Sequence, residues 1–163
     1  MTNDVLRGRL LLWATAFVAV LGLGLPAFRP ALGNRESLLV GPSVGALLFF
    51  GLAGAARPRL RAASITRAAR LAASAAFEEV AWRAVALAAL AAWLGVLAAL
   101  VVTTIGFAGA HRPRLGNRAR VHLLTGAGFG AAFVCAGLVA AIAAHWVYNL
   151  LVELALRGAG EPR

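Results

Sequence analysis

Long apolar runs separated by arginine-rich breaks dominate the chain. The runs are about 16 to 22 residues long, and a helix needs about 20 apolar residues to cross the hydrocarbon core of a bilayer. Six runs predict six transmembrane helices, at residues 8–28, 38–56, 71–92, 95–110, 121–136 and 139–156. The last two form one continuous apolar stretch, which we divide at a turn near Gly137. The pattern therefore predicts an all-α, polytopic membrane protein.

Composition agrees with a single membrane domain over residues 1–163. Of the 163 residues, 61% are hydrophobic and 13% are charged, whereas a typical soluble domain is about 45–50% apolar and about 25% charged. The net charge of +10 could indicate nucleic-acid binding, but the arginines lie between apolar runs and not on one basic face. We therefore expect membrane lipid, and no nucleic acid, as a partner. The one cysteine, Cys135, excludes an intrachain disulfide and a multi-thiolate zinc site.

The arginines also predict how the chain crosses the membrane. Two links between runs carry arginine without any acidic residue, and links of this kind stay on the cytoplasmic side. They are residues 57–70, with five arginines, and residues 111–120, with four. Six spans with this asymmetry place both termini in the cytoplasm. The sequence does not predict an oligomeric state.

A few ionisable and polar residues lie within the predicted spans or, like His111, directly at the end of one. Inside a membrane a charge costs about 2.5–3.5 kcal/mol by insertion scales and usually serves a function. These residues are Glu78, Glu79, Arg83, His111, His145 and Asn149. Glu79 and Arg83 are four residues apart with the acid first, so we assign them to a structural ion pair. Glu78 points about 100° away on the same helix, which leaves it without a local partner and available for chemistry. Glu153 is expected to pair with Arg157 by the same spacing.

Depth groups these residues in the cytoplasmic half of the bilayer. At about 1.5 Å per residue, Glu78 lies roughly 12 Å in from Arg70, and Asn149 a similar distance from Arg157. A carboxylate beside an imidazole can hold and deprotonate a water molecule. An imidazole and an amide can donate hydrogen bonds to a developing oxyanion. No serine or cysteine belongs to a recognisable nucleophile motif, so the pattern predicts hydrolysis by direct attack of water.

Three motifs resemble, in their order and spacing, those of the CPBP intramembrane proteases, which include Rce1-like CAAX proteases and bacterial Abi-type proteins. They are Glu-Glu-x-x-x-Arg at 78–83, Phe-x-x-x-His at 107–111 and His-x-x-x-Asn at 145–149. The resemblance implies a CPBP-type bundle with its protease core at residues 70–156. It also implies a location in the bacterial inner membrane.

The resemblance assigns roles to the polar residues. Glu78 and His111 would activate the water, and His145 and Asn149 would stabilise the tetrahedral intermediate. The supporting residues would be Glu79, Arg83 and Phe107. The implied enzyme is a metal-independent glutamic endopeptidase without a cofactor. Its substrate would be a membrane-associated protein or peptide, cut in a C-terminal sorting tail, a leader or a CAAX-like segment.

Two alternatives stay open on the sequence. Glu78, His111 and His145 could instead be the ligands of a zinc protease, although the chain has no His-Glu-x-x-His motif. The same residues could also belong to a non-catalytic membrane scaffold or a bacteriocin-immunity protein that binds a peptide without cutting it. Sensitivity of cleavage to a chelator would indicate the zinc protease. Absence of cleavage would indicate the scaffold or immunity protein.

Overall fold

The computed structural model describes residues 32–33, 35–53, 64–115 and 121–159, and no strand occurs among them. The helices are α1 (Ser37–Ala53), α2 (Ile65–Glu79), a π-helical segment (Val80–Leu87), α3 (Ala88–Leu94), α4 (Val96–Leu115), α5 (Val121–Ala136) and α6 (Leu138–Ala159). Since α2, the π-helical segment and α3 follow one another without a break, the described chain forms five rods. The all-α prediction is therefore confirmed for these residues.

Five of the six predicted spans coincide with these rods, and the first, at residues 8–28, lies outside the described residues. Among the described residues, one helical segment, Leu138–Ala155, is long and apolar enough to cross a membrane. Shorter apolar helices occur at Ser37–Leu52, Val96–His111 and Val121–Ala136. The number of spans thus stays a prediction.

The predicted turn between the last two helices is confirmed at Gly137. This glycine has φ +84°, a left-handed conformation that residues with a Cβ rarely adopt, and it separates α5 from α6. The N-terminal end of α1 packs against this turn, because the Ser37 hydroxyl donates to the Ala136 carbonyl at 2.5 Å. The bond satisfies a carbonyl that the end of α5 leaves without a helical partner.

Helix α6 is the central rod, packed against α1, α2, α5 and the π-helical segment. Gly41 and Gly45 let α1 approach α6 closely. A Cβ at Gly41 would come within 2.6 Å of the Ala140 carbonyl oxygen, and one at Gly45 would overlap the carbonyl of Ala144. Small residues four apart are a common means of helix contact in membranes.

Large apolar side chains cover much of the outer surface of the rods. Exposed examples are Leu39, Leu47, Trp93, Leu97, Ile105 and Leu124. Monomeric soluble proteins rarely expose apolar patches larger than a few hundred Å², so this surface suits lipid. The polar side chains described next lie inside the bundle, between α2, α4, α5 and α6.

The π-helical segment departs from the regular helix expected at residues 71–92. It begins directly after Glu79 and contains Arg83. Turns of this kind are wider than α-helical turns and frequently occur at functional sites. The rod ends at Gly95, which has φ +78° and begins the reversal into α4.

Candidate active site

The Glu78 carboxylate lies at the meeting point of three helices. Its Oε2 atom is 3.5 Å from His111 Nε2 on α4 and 4.0 Å from His145 Nε2 on α6. Its Oε1 atom accepts a hydrogen bond from the Ser74 hydroxyl at 3.2 Å, one turn earlier on α2. The expectation that Glu78 has no local partner is therefore wrong, because Ser74 shares its helix face. That bond holds Oε1 and leaves Oε2 directed at the two imidazoles.

His111 is oriented by its own helix. Its Nδ1 atom lies 2.8 Å from the Phe107 carbonyl oxygen, four residues earlier. A carbonyl only accepts, so Nδ1 carries the proton and donates to it. Nε2 is then the ring atom that faces Glu78. The His111 side chain is 20% exposed and that of Glu78 is 24% exposed, so this part of the site lies nearer the surface of the bundle than His145, which is 5% exposed.

His145 lies deeper and bridges the two glutamates. Its Nδ1 atom donates to Glu79 Oε1 at 2.7 Å, while its Nε2 atom faces Glu78. The ring of Phe129 stacks on the imidazole, with centroids 4.6 Å apart and planes 15° apart. Nδ1 of His145 therefore carries a proton, and the plane of the ring is fixed.

The ion pair predicted from the i, i+4 spacing is present, with Arg83 Nε 3.2 Å from Glu79 Oε2 and both side chains 0% exposed. Arg83 also donates from NH2 to the Gly126 carbonyl at 2.9 Å. The other oxygen of Glu79 holds His145, a contact that the spacing did not predict. The two neighbouring glutamates thus have different partners: Glu78 lies in the partly exposed part of the site, and Glu79 lies behind it, fully buried.

Phe107, the predicted supporting residue on α4, is fully buried at the centre of these groups. Its ring centroid is 4.6 Å from that of His111 and 5.9 Å from that of His145. The Arg83 guanidinium carbon lies 5.3 Å from the same centroid, within cation–π range. Phe107 therefore supports both histidines and the arginine.

Asn149 is less closely connected to the other site residues than the spacing suggests. It lies one turn beyond His145 on α6 and is half-buried, but no hydrogen bond joins it to Glu78, His111 or His145 among the described residues. Glu153, two turns beyond His145, pairs with Arg67 at 2.7 Å and so ties α6 to the start of α2. The side chain of Arg157, its expected partner, lies outside the described residues.

The sequence reasoning missed two residues of the site, Ser74 and His122. Ser74 is detectable in the sequence, because it precedes Glu78 by four residues. His122, at the start of α5, stacks on His111 with ring centroids 4.1 Å apart. No spacing within one helix could place it against a residue of α4. Over the part of the chain that the structure describes, no group of three or more His, Cys, Asp or Glu residues is arranged to hold a metal ion.

The fold and the site together define an all-helical bundle, over the described residues, with a carboxylate between two imidazoles inside it. A model of the family described as type II CAAX prenyl endopeptidase Rce1-like matches residues 60–151. The chain belongs to this family, whose members are membrane-embedded proteases of the CAAX type, and the resemblance seen in the motifs is confirmed. The matched segment contains Glu78, His111 and His145. No curated protein and no solved structure matches the chain.

Proposed function

We propose that this protein is an intramembrane, metal-independent glutamic endopeptidase. It hydrolyses a peptide bond in a membrane-associated protein or peptide, using a water molecule activated by Glu78 and His111. The observation that carries the proposal is the convergence of Glu78 Oε2 with Nε2 of His111 and of His145, at 3.5 and 4.0 Å. Membership of the Rce1-like family supports the class of reaction.

The hydrogen bond at Nδ1 of His111 supports the activation of water. Because Nδ1 of His111 donates to the Phe107 carbonyl, Nε2 of the neutral ring is an acceptor. Glu78 Oε2 is also an acceptor, is buried, and has no hydrogen-bond partner among the described residues. A water molecule beside this pair can donate a hydrogen to one of the two acceptors. A lone pair of its oxygen is then free to attack a substrate carbonyl carbon.

The contacts of His145 support a role beside the oxyanion. Its Nδ1 atom donates to the buried Glu79 carboxylate, and its Nε2 atom lies 4.0 Å from Glu78 Oε2. When Nε2 carries a proton, it can donate a hydrogen bond to a developing oxyanion.

The reaction follows from these two assignments. The water oxygen bonds to the substrate carbonyl carbon as one water proton moves to the Glu78–His111 pair, and the carbonyl π electrons move to oxygen. His145 donates to the resulting oxyanion, and Asn149 would join it when substrate is bound. The C–N bond then breaks as the oxyanion reforms the carbonyl. The proton held by Glu78 and His111 passes to the leaving amine.

Cleavage of a peptide panel tests the proposal. Purified protein in liposomes is offered a farnesylated peptide with a CAAX end, C-terminal tail peptides and leader peptides, each with and without a chelator. We expect the wild type to cleave at least one class regardless of chelator, and Glu78→Gln and His145→Ala to cleave none. Loss of cleavage on chelation would support the zinc alternative. Cleavage by both variants would contradict the assignment, and absence of cleavage by the wild type would favour the scaffold alternative.

We further propose that the site opens toward the cytoplasm, with the start of α2 at that face of the inner membrane. Ser64 is exposed and caps α2, and Arg67 one turn later pairs with Glu153 near the end of α6. A Ser64→Cys variant made on Cys135→Ala should react with an impermeant maleimide in inverted vesicles and not in intact cells. Labelling in intact cells would reverse the proposed orientation.

A further inference from the structure

The two imidazoles that face Glu78 are held in the same way, each by an acceptor at Nδ1 and a ring stacked on its face. For His145 the acceptor is Glu79 and the stacked ring is Phe129. For His111 the acceptor is the Phe107 carbonyl, and the stacked ring is that of His122, with centroids 4.1 Å and planes 21° apart. His122 therefore occupies beside His111 the position that Phe129 occupies beside His145.

Stacking matters because the direction of Nε2 depends on the plane of the ring. A hydrogen bond at Nδ1 fixes one atom and leaves the imidazole able to tilt about it. An aromatic ring lying nearly parallel restricts that tilt, since a stacked aromatic pair is attractive and tilting one ring would weaken the attraction. The His122 ring is itself supported by Phe107, with centroids 5.7 Å apart and planes 69° apart. The His111 plane is thus tied to α5 as well as to α4.

We propose that His122 is a positioning residue that, by stacking, directs Nε2 of His111 at the Glu78 carboxylate and the water held there. The inference rests on the proposed function for its effect on catalysis, although the orientation of His111 can be measured without substrate. Stacking, and not the charge or hydrogen bonding of His122, performs this task. An aromatic residue without ring nitrogens should therefore replace it.

Two variants separate stacking from simple occupation of space. His122→Phe retains a flat aromatic ring, and His122→Leu retains apolar volume without one. With a cleaved peptide, His122→Leu should lower kcat about tenfold with KM changed less than about twofold, since small misplacements of a reacting group can cost up to about a hundredfold. His122→Phe should restore most of the kcat that His122→Leu loses. Equal kcat in the leucine variant and the wild type, or equal losses in both variants, would overturn the proposal.

Carbethoxylation of His111 gives a second readout that needs no substrate. The rate of His111 modification by diethyl pyrocarbonate, measured by peptide mass spectrometry, rises when the ring can turn Nε2 away from Glu78. We expect at least a roughly threefold faster rate in His122→Leu than in His122→Phe, the change that loss of one stacked pair predicts. Equal rates in the two variants would overturn the positioning role. A wild type that cleaves nothing would contradict the proposed function, and the modification rates would then decide the positioning role alone.

Discussion

The buried pair of Arg83 and Glu79 offers a quantitative test of how the site is held. Both side chains are fully buried, and Arg83 also donates to the Gly126 carbonyl. Arg83→Met removes the guanidinium while keeping much of its length, and so leaves the Glu79 carboxylate buried without its cation. Breaking a buried pair on one side costs about 3–5 kcal/mol. We expect the free energy of unfolding to fall by that amount, which corresponds to more than about a hundredfold in the unfolding equilibrium constant.

Unfolding in mixed micelles with increasing SDS, followed by tryptophan fluorescence, measures this loss. Arg67→Met is the matched control, because Arg67 pairs with Glu153 but is 48% exposed. Exposed pairs contribute about 0–1 kcal/mol, so the control should lose no more than that. The same substitution is thereby compared inside and outside the bundle.

The double variant Glu79→Gln, Arg83→Met separates lost charge balance from lost packing. Neutralising both partners removes the uncompensated carboxylate, and the glutamine oxygen can still accept from His145. We expect the double variant to be more stable than Arg83→Met alone by at least about 1 kcal/mol, a coupling within the range seen for contacting residues. If Arg83→Met costs no more than Arg67→Met, or if the double variant is the less stable one, the reasoning from the buried ion pair is refuted.

Three glycine substitutions, one of them a control, test the packing and the turn in the same unfolding assay. Gly45→Ala places a Cβ against the Ala144 carbonyl and should cost about 1–3 kcal/mol of stability by overpacking. Gly51→Ala is the control, because its Cβ meets nothing within 4 Å, and it should be neutral or stabilising by up to about 1 kcal/mol. Equal effects of the two substitutions would show that α1 does not touch α6 at Gly45. Gly137→Ala should cost about 1–2 kcal/mol because φ is +84°, and an unchanged stability would contradict the left-handed turn.

Much of the architecture follows from residue order alone. Apolar runs predict the rods well because a helix in lipid must satisfy its own backbone and face lipid with apolar side chains. The turn at Gly137 is also predictable, since a glycine interrupts an apolar run too long for one span. The grouping of Glu78 with His111 and His145 came from depth and helix face, and the structure brings the three together within 4.0 Å.

Features that depend on contact between helices could not be predicted from the sequence. The stacking of His122 on His111 requires the register of α5 against α4, which no intrahelical spacing gives. The bond from His145 to Glu79 was missed because the i, i+4 rule finds partners within one helix only, although a carboxylate has two oxygens and can accept from a second partner on another helix. The π-helical segment after Glu79 has no marker in the sequence such as proline.

The central claim is that Glu78 supplies the carboxylate that activates water, and Glu78→Gln tests it most directly. The isosteric amide keeps the space and can still accept from Ser74, but it cannot take a proton from water. In the same liposomes, with a peptide that the wild type cleaves, we expect kcat/KM to fall at least about a hundredfold, the usual contribution of a general base. Glu153→Gln, a carboxylate change on the same side of the bundle but outside the site, should stay within about threefold. A Glu78→Gln protein as active as Glu153→Gln would contradict the account.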